Sequence, residues 1–215
     1  MIEKTLKTTA GRLLIKIPSS LDEITLGQMM ELQEKASLTD LEVISILSGI
    51  PLIQLQNVNR IDDLIAFGDA VHTITQQIIH LYNSDAIPSK ITFQQRDGDV
   101  TVAVIKNLSV EPAGAFMAAR EIIAAEMARH IADCNEGDSL EGFNPSLKAC
   151  CQILAHYFYC SVTGGQYDEY KAEEFCNAIK KLRVTEAMPI AKHFFTCYPN
   201  LYKPKISFWL RFRLF

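Results

Sequence analysis

Three histidines are each followed by a cysteine four residues later, which is about one turn of a helix. On a helix, each pair would place an imidazole and a thiol on the same face, and zinc prefers both groups as ligands. The pairs are His130/Cys134, His156/Cys160 and His193/Cys197. Six ligands exceed the four of a tetrahedral zinc site, and no Cys-x-x-Cys pair is present to anchor one. The pattern therefore favours thiols packed in a core, with a metal-binding regulator as an alternative.

Paired carboxylates are the other groups that could do chemistry. They occur at Asp62-Asp63, at Glu173-Glu174 and in the acidic stretch 136–141. None has the alternating oxygen ligands of a calcium loop, so we interpret them as solvated surface charge. The sequence contains no glycine-rich phosphate loop after a strand, no serine nucleophile elbow and no His-Glu-x-x-His motif. We therefore expect no enzyme activity, no catalytic or metal-binding residues and no cofactor.

Composition limits the class of partner. The 215 residues are 48% hydrophobic and 21% charged, enough to bury a core and cover it. A net charge of −4 argues against a nucleic-acid partner, because such proteins concentrate Lys and Arg. We find no leader-like start and no run of about eighteen apolar residues, so we expect a cytoplasmic protein without a membrane partner. The six cysteines follow no disulfide framework and are expected to be reduced and buried.

Turn and cap residues define the elements at the start of the chain. Alternating apolar residues predict a β-hairpin over residues 2–17. Thr25 and Gln28 have the spacing of a capping box, as do Thr39 and Glu42. Each box predicts a short helix that begins directly after its threonine.

Apolar periodicity predicts the next elements. Gly49 is expected to end the second helix in a left-handed conformation. A stripe at steps of three and four predicts one helix over about residues 59–82. Asp97-Gly98 lies between alternating runs and predicts a second hairpin over residues 91–104.

The remaining pattern is helical, with Ser109 and Asn144 as the expected caps of the first two helices. Apolar residues surround the second of these helices, so we expect it to be the most buried element. The first is expected to bury Phe116, Ile123, Met127 and Ile131. The predicted helices cover residues 109–132, 145–162, 170–182 and 186–197.

These elements predict a mainly α fold with two β-hairpins, in the α+β class, with a bundle-like core. We divide the chain into residues 1–87, a hairpin plus helices, and residues 88–202, a β-hairpin followed by a helical domain. Residues 203–215 form an extended apolar tail. A single domain overall is the alternative.

The tail separates cleanly by side-chain type only as a strand. In a helix its apolar residues would surround the whole circumference. A strand instead has two distinct faces, one with Phe208, Leu210, Phe212 and Leu214 and the other with Trp209, Arg211, Arg213 and Phe215. It either folds back on the protein's own core or docks on a partner by strand pairing or aromatic anchoring. The candidate partner-binding residues are Phe208, Trp209, Leu210, Arg211, Phe212, Arg213, Leu214 and Phe215.

Two stretches in the first third of the chain resemble a known family. IPSSLDEITLGQMMELQ (17–33) and TDLEVISILSGIPLIQLQNVNRIDDLIAF (39–67) are similar to the N-terminal region of tail assembly chaperones of tailed bacteriophages. There a strand and an ITLGQ-like helix start precede a helix that ends in an LSGIP-like turn, followed by an amphipathic helix. Stretches of the second half, such as AMPIAKHFFTCYPNLYKPK (187–205), resemble proteins of phages that infect Bacteroides relatives.

The resemblance implies a non-enzymatic assembly role in the host cytoplasm. Chaperones of this family bind the long tape-measure protein, keep it soluble and help to recruit tail-tube subunits. The apolar tail is not part of the family pattern. A structural component of the virion, in the neck, tail or packaged interior, is the alternative, and self-association is a further possible use of the same surfaces.

Overall fold

The fold has one antiparallel β-hairpin before the first helix and a second between two groups of helices. The computed structural model describes residues 1–35, 37–60, 62–65, 67–78, 81, 86–95, 98–133 and 143–198. β1 Ile2–Thr8 pairs with β2 Gly11–Ile17, and Gly11 has a φ of 135° that favours glycine. β3 Lys90–Phe93 pairs with β4 Val100–Ala103. Both predicted hairpins are confirmed, although Asp97 of the second turn lies outside the described residues.

The first two helices, α1 Leu26–Glu34 and α2 Asp40–Ser48, begin on the predicted capping boxes. The Thr25 hydroxyl accepts a hydrogen bond from the backbone N–H of Gln28. The Gln28 side chain accepts one in return from the backbone N–H of Thr25. Thr39 forms the same reciprocal pair at the start of α2. These helix starts are confirmed because they depend only on neighbouring residues.

The single helix predicted over residues 59–82 is wrong. Gly49 ends α2 in the predicted left-handed conformation, and the short helix α3 Leu52–Leu55 follows it. In the described part of residues 59–82 the structure has two short α-helices, α4 Asp62–Ile65 and α5 Gly68–Ile78. Between α4 and α5, the backbone N–H of Phe67 donates to the Leu64 carbonyl oxygen in a tight turn, and the Phe67 ring is fully buried. Burial of this ring and the weak helix propensity of Gly68 outweigh the continuous stripe.

The long helix α6 covers Ala113–Asp133, and Ser109 is not its cap. Ser109 lies in a 3-10 turn, where its backbone N–H donates to the side chain of Asn107. Ile131 is 53% exposed, so the predicted inner face is wrong at that end. Its position is in the last turn of the helix, beyond the packed segment. The buried line along α6 consists of Ala115, Ala119, Ile123 and Met127.

The helix α7 Leu147–Thr163 passes through the core and has more buried residues than any other described element, as predicted. Its cap is Ser146, whose hydroxyl accepts from the backbone N–H of Ala149, and the predicted cap Asn144 is wrong. Ser146 has the extended backbone of an N-cap and its hydroxyl binds the Ala149 N–H, so the helix begins at Leu147, two residues later than predicted.

Three helices complete the described fold: α8 Glu169–Glu174, α9 Cys176–Ile179 and α10 Val184–Cys197. The helix predicted over residues 170–182 is divided at Phe175. The ring of Phe175 packs against Phe93 of β3, with the ring centroids 5.6 Å apart. α10 begins two residues before the predicted start at Glu186.

Backbone hydrogen bonds join the two predicted segments of the chain. The N–H groups of Leu26 and Gly27 donate to the carbonyl oxygens of Leu182 and Lys180, both at 2.8 Å. A single cluster of buried side chains extends through both segments. The fold is α+β and mainly helical, as predicted. The division into domains at residue 87 stays a prediction.

Candidate functional site

The three His/Cys pairs do not converge in the described part of the chain. His156 is buried, and its Nδ1 lies 2.9 Å from the hydroxyl oxygen of Tyr167. His193 does face its cysteine, with Nδ1 3.4 Å from Cys197 Sγ. Cys134 lies outside the described residues. Across the described ranges, no three His, Cys, Asp or Glu side chains come close enough together to hold a metal ion.

The cysteines in the described part of the chain are free thiols, as predicted, but not all are buried. Cys150 and Cys151 lie in the core on α7, and burial raises the pKa of the Cys150 thiol. Cys160 and Cys176 are half-buried, and Cys197 is exposed. The core thiol stays protonated at neutral pH, which makes it a poor nucleophile or metal ligand.

The paired carboxylates lie on the surface where they are described. Asp62 is exposed and lies 3.6 Å from Arg60 Nη2. Glu173 and Glu174 are exposed. Outside the described residues lie the side chain of Asp63 and the stretch 136–141.

The predicted partner-binding tail also lies outside the described residues, so the structure assigns no position to its side chains. These residues are Phe208, Trp209, Leu210, Arg211, Phe212, Arg213, Leu214 and Phe215.

An apolar groove of about 530 Å³ opens between α2 and the helices α4 and α5, and we call it the α2–α5 groove. Its apolar walls are formed by Leu41, Ile44, Leu64, Ile65 and Val71. Ile44 and Leu64 are buried in the core cluster, whereas Ile65 is 65% exposed. Leaving such a side chain in water forfeits about 1.5–3 kcal/mol of burial free energy, which a bound apolar surface would recover in part.

Among the residues that the structure describes, the polar lining of the groove contains a single carboxylate. Asp40 lies in the first turn of α2, and His72 and Thr75 line the side formed by α5. The Thr75 hydroxyl donates to the Val71 carbonyl oxygen at 2.8 Å, so it is occupied within its own helix. The lining suits an apolar surface that carries a basic side chain near Asp40.

Sequence reasoning missed this groove because it follows from the break between α4 and α5. A continuous helix would keep Leu64 and Phe67 on one stripe and leave Ile65 as an isolated surface residue. The break turns α4 so that Ile65 joins the wall of a groove. Gly68, inside an otherwise helical pattern, is the signal that marked the break.

No protein-family model, no curated protein and no solved structure matches this chain. Among the helices that the structure describes, none has the length and apolar character needed to cross a bilayer.

Proposed function

We propose that this chain is a non-enzymatic bacteriophage assembly protein, a tail assembly chaperone that binds an apolar helical segment of the tape-measure protein. The observation that carries the proposal is the α2–α5 groove. Its walls come mainly from residues 39–67, the stretch whose sequence resembles the chaperone family. An apolar groove of the described surface therefore lies largely in the segment that suggested the function.

A helix fits such a groove by inserting apolar side chains spaced three and four residues apart. Each side chain that leaves water contributes about 1.5–3 kcal/mol before the ordering cost of binding. Covering these side chains would keep a long helical partner soluble until assembly. Asp40 favours a partner with a basic residue beside its apolar face.

A chaperone acts in the host cytoplasm and leaves before the particle is complete, whereas a virion component remains. The alternative function, a structural protein of the neck, tail or packaged interior, would use the α2–α5 groove as a permanent interface. Mass spectrometry of purified particles separates the two. Recovery of this chain in a fixed ratio to known tail proteins would favour the structural role.

The groove is tested by co-expression with the tape-measure protein of the same phage. Ile65→Asp places a charge in the groove wall at an exposed position and is expected to leave the fold intact. Ile53→Asp is the matched control, because Ile53 is 69% exposed on α3 and does not line the groove. We expect Ile65→Asp to reduce soluble partner yield and binding by about tenfold or more, equivalent to about 1.4 kcal/mol. Equal partner solubility with the native chain, with Ile65→Asp and with no chaperone would refute the proposal.

A further inference from the structure

One long edge of the second hairpin is open. The backbone N–H of Val104 donates to the Ser89 carbonyl oxygen at 2.9 Å and continues the β3–β4 register. Bonded and non-bonded pairs alternate in an antiparallel ladder, so Thr92 and Thr101 form a non-bonded pair. Their hydroxyl oxygens lie 2.9 Å apart, as the closer side chains of such a pair allow. The backbone N–H and C=O of Thr92, and by the same alternation those of Lys90, therefore point away from β4.

The opposite edge of this hairpin is occupied at its end. The Tyr157 hydroxyl donates to the carbonyl oxygen of Ile105 and accepts from its N–H, both at 2.7 Å. Ile105 follows β4, and its backbone points away from β3. Within the described ranges, no corresponding hydrogen bond reaches the outward backbone groups of Lys90 or Thr92. The β3 edge therefore keeps donors and acceptors that a further strand could use.

A groove of about 340 Å³ lies beside the β3 edge, and we call it the β3 groove. One wall is formed by Lys90 and Thr92, and the other by the turn that joins α9 to α10. Phe93 and Leu182 line it as nearly buried apolar side chains. The exposed lining of the groove is mainly polar, with free backbone groups along one side.

The β3 groove is positively charged, although the chain carries a net charge of −4. Lys90, Lys181 and Arg183 line it, opposed by the single carboxylate of Glu186. In the described part of the chain, none of the three cations forms an ion pair within 4 Å. A ligand of opposite charge is therefore favoured.

We propose that the β3 groove binds an extended acidic segment of a partner protein, which adds to β3 as a strand. Main-chain hydrogen bonds to Lys90 and Thr92 hold the segment along the edge. Side chains of a strand alternate in direction, so acidic residues at every second position meet Lys181 and Arg183. The intervening residues point away from these cations and carry no charge.

The free backbone groups favour a peptide over a phosphate as the ligand of the β3 groove. Lys90 and Thr92 each present a carbonyl oxygen as well as an N–H at the edge. Carbonyl oxygens repel phosphate oxygens but accept hydrogen bonds from peptide N–H groups. A peptide strand satisfies both kinds of group, and a nucleic acid satisfies only the cations. This site shares no lining residue with the α2–α5 groove, so the two proposals are tested independently.

The test measures binding of a fluorescent peptide of about seven residues that alternates Glu and Val. A Lys/Val peptide tests the charge, and an N-methylated Glu/Val peptide tests the backbone bonds. We expect each to bind at least about tenfold more weakly than the Glu/Val peptide. Amide exchange should slow at Lys90 and Thr92 on binding, and remain unchanged at Thr101.

Two proline variants give a matched pair. Thr92→Pro removes an N–H that faces the groove, whereas Thr101→Pro removes the equivalent N–H on the opposite edge. Neither N–H bonds across the hairpin, and both variants lose the same hydroxyl contact. We expect Thr92→Pro to lose at least about tenfold in affinity and Thr101→Pro to stay within about twofold. The exposed pair Lys181→Glu with Arg183→Glu repeats the test without changing the strand, and should also lose at least about tenfold.

Three results would overturn the proposal. Equal binding of the Glu/Val and N-methylated peptides would show that the backbone edge is not used. Equal affinity for a short single-stranded DNA would make the groove a general anion site. Failure of the native chain to bind the Glu/Val peptide would mean that Lys90 and Lys181 prevent strand pairing at this edge.

Discussion

The backbone N–H of Gly27 donates to the carbonyl oxygen of Lys180 at 2.8 Å, and this contact places the start of α1 directly on the turn between α9 and α10. The first N–H groups of a helix have no partner within it. Here Gly27 and Leu26 find theirs in a segment more than 150 residues later in the chain. A Cβ at position 27 would lie 3.1 Å from the Lys180 carbonyl oxygen, so the close approach depends on glycine.

Gly27→Val should therefore destabilise the fold by about 2–3 kcal/mol, because the added side chain meets the Lys180 backbone. Gly68→Val is the matched control, since no atom lies within 4 Å of a Cβ built at that helical glycine. Urea unfolding measures both. A similar free energy of unfolding for the two variants would contradict the contact between α1 and the α9–α10 turn.

Glu126→Gln tests a buried carboxylate that joins α6 to the start of α7. Burial alone would raise the pKa of Glu126, but hydrogen bonds from the Ser146 backbone N–H and the Arg129 side chain outweigh it, so the pKa lies below its usual value. A lowered pKa stabilises the fold above the unfolded value of about 4.3, and this contribution is lost as pH falls through the folded value. We expect a loss of about 1–3 kcal/mol at pH 7.

The control for this variant is Glu121→Gln, at an exposed position on the same helix. Denaturant unfolding is measured at pH 7 and in the acid range. At pH 7 the free energy of unfolding of Glu126→Gln should be lower than that of the native chain. The two curves should converge as the native carboxylate is protonated. A constant difference in the free energy of unfolding across the whole pH range would mean that the charge of Glu126 does not stabilise the fold.

Leu154→Asp should unfold the protein, because Leu154 is fully buried in α7 and an unpaired carboxylate there has no water. We expect a loss of about 4 kcal/mol or more. Ile53→Asp introduces the same charge at a position that is 69% exposed and should leave the thermal unfolding temperature nearly unchanged. Native-like stability of Leu154→Asp would contradict the position of α7 at the centre of the core.

Features that depend on neighbouring residues were predictable from the sequence. The pairs Thr25/Gln28 and Thr39/Glu42 start their helices where the spacing placed them. The break at Phe67 depends partly on the burial of that ring, which the sequence does not specify, although Gly68 directly after it was a local signal. The boundary after Asn144 was wrong by two residues because serine and asparagine are similarly good caps, and Ser146 takes that role.

The candidate sites required the tertiary structure for different reasons. The α2–α5 groove depends on the angle between two short helices, which apolar spacing does not specify. The β3 groove depends on which residues of the hairpin have backbone N–H and C=O groups that point outward. The hydrogen bond from the Val104 N–H to the Ser89 carbonyl oxygen identifies those residues. Lys181 and Arg183 are close to Lys90 only because the α9–α10 turn lies beside β3.

Deletion of residues 208–215 tests the role of the C-terminal tail, which lies outside the described residues. The described core cluster is formed entirely upstream of this segment. If the tail docks on a partner, the shortened chain should keep its unfolding temperature and lose partner binding or self-association. Trp209 is the only tryptophan, so its fluorescence reports on this segment directly. Its emission should be red-shifted in the free protein and shift to the blue when a partner removes water from the ring.

The opposite result has an equally definite physical cause. If the tail covers the protein's own core, Trp209 should emit in the blue in a verified monomer. Deleting residues 208–215 would then uncover apolar surface, at about 25 cal/mol for each Å², and cost several kcal/mol of stability. Phe208→Ser and Phe212→Ser, on one face of the predicted strand, separate the two cases without shortening the chain. Under docking they should weaken partner binding at constant stability, whereas under folding back they should lower the free energy of unfolding of the isolated protein.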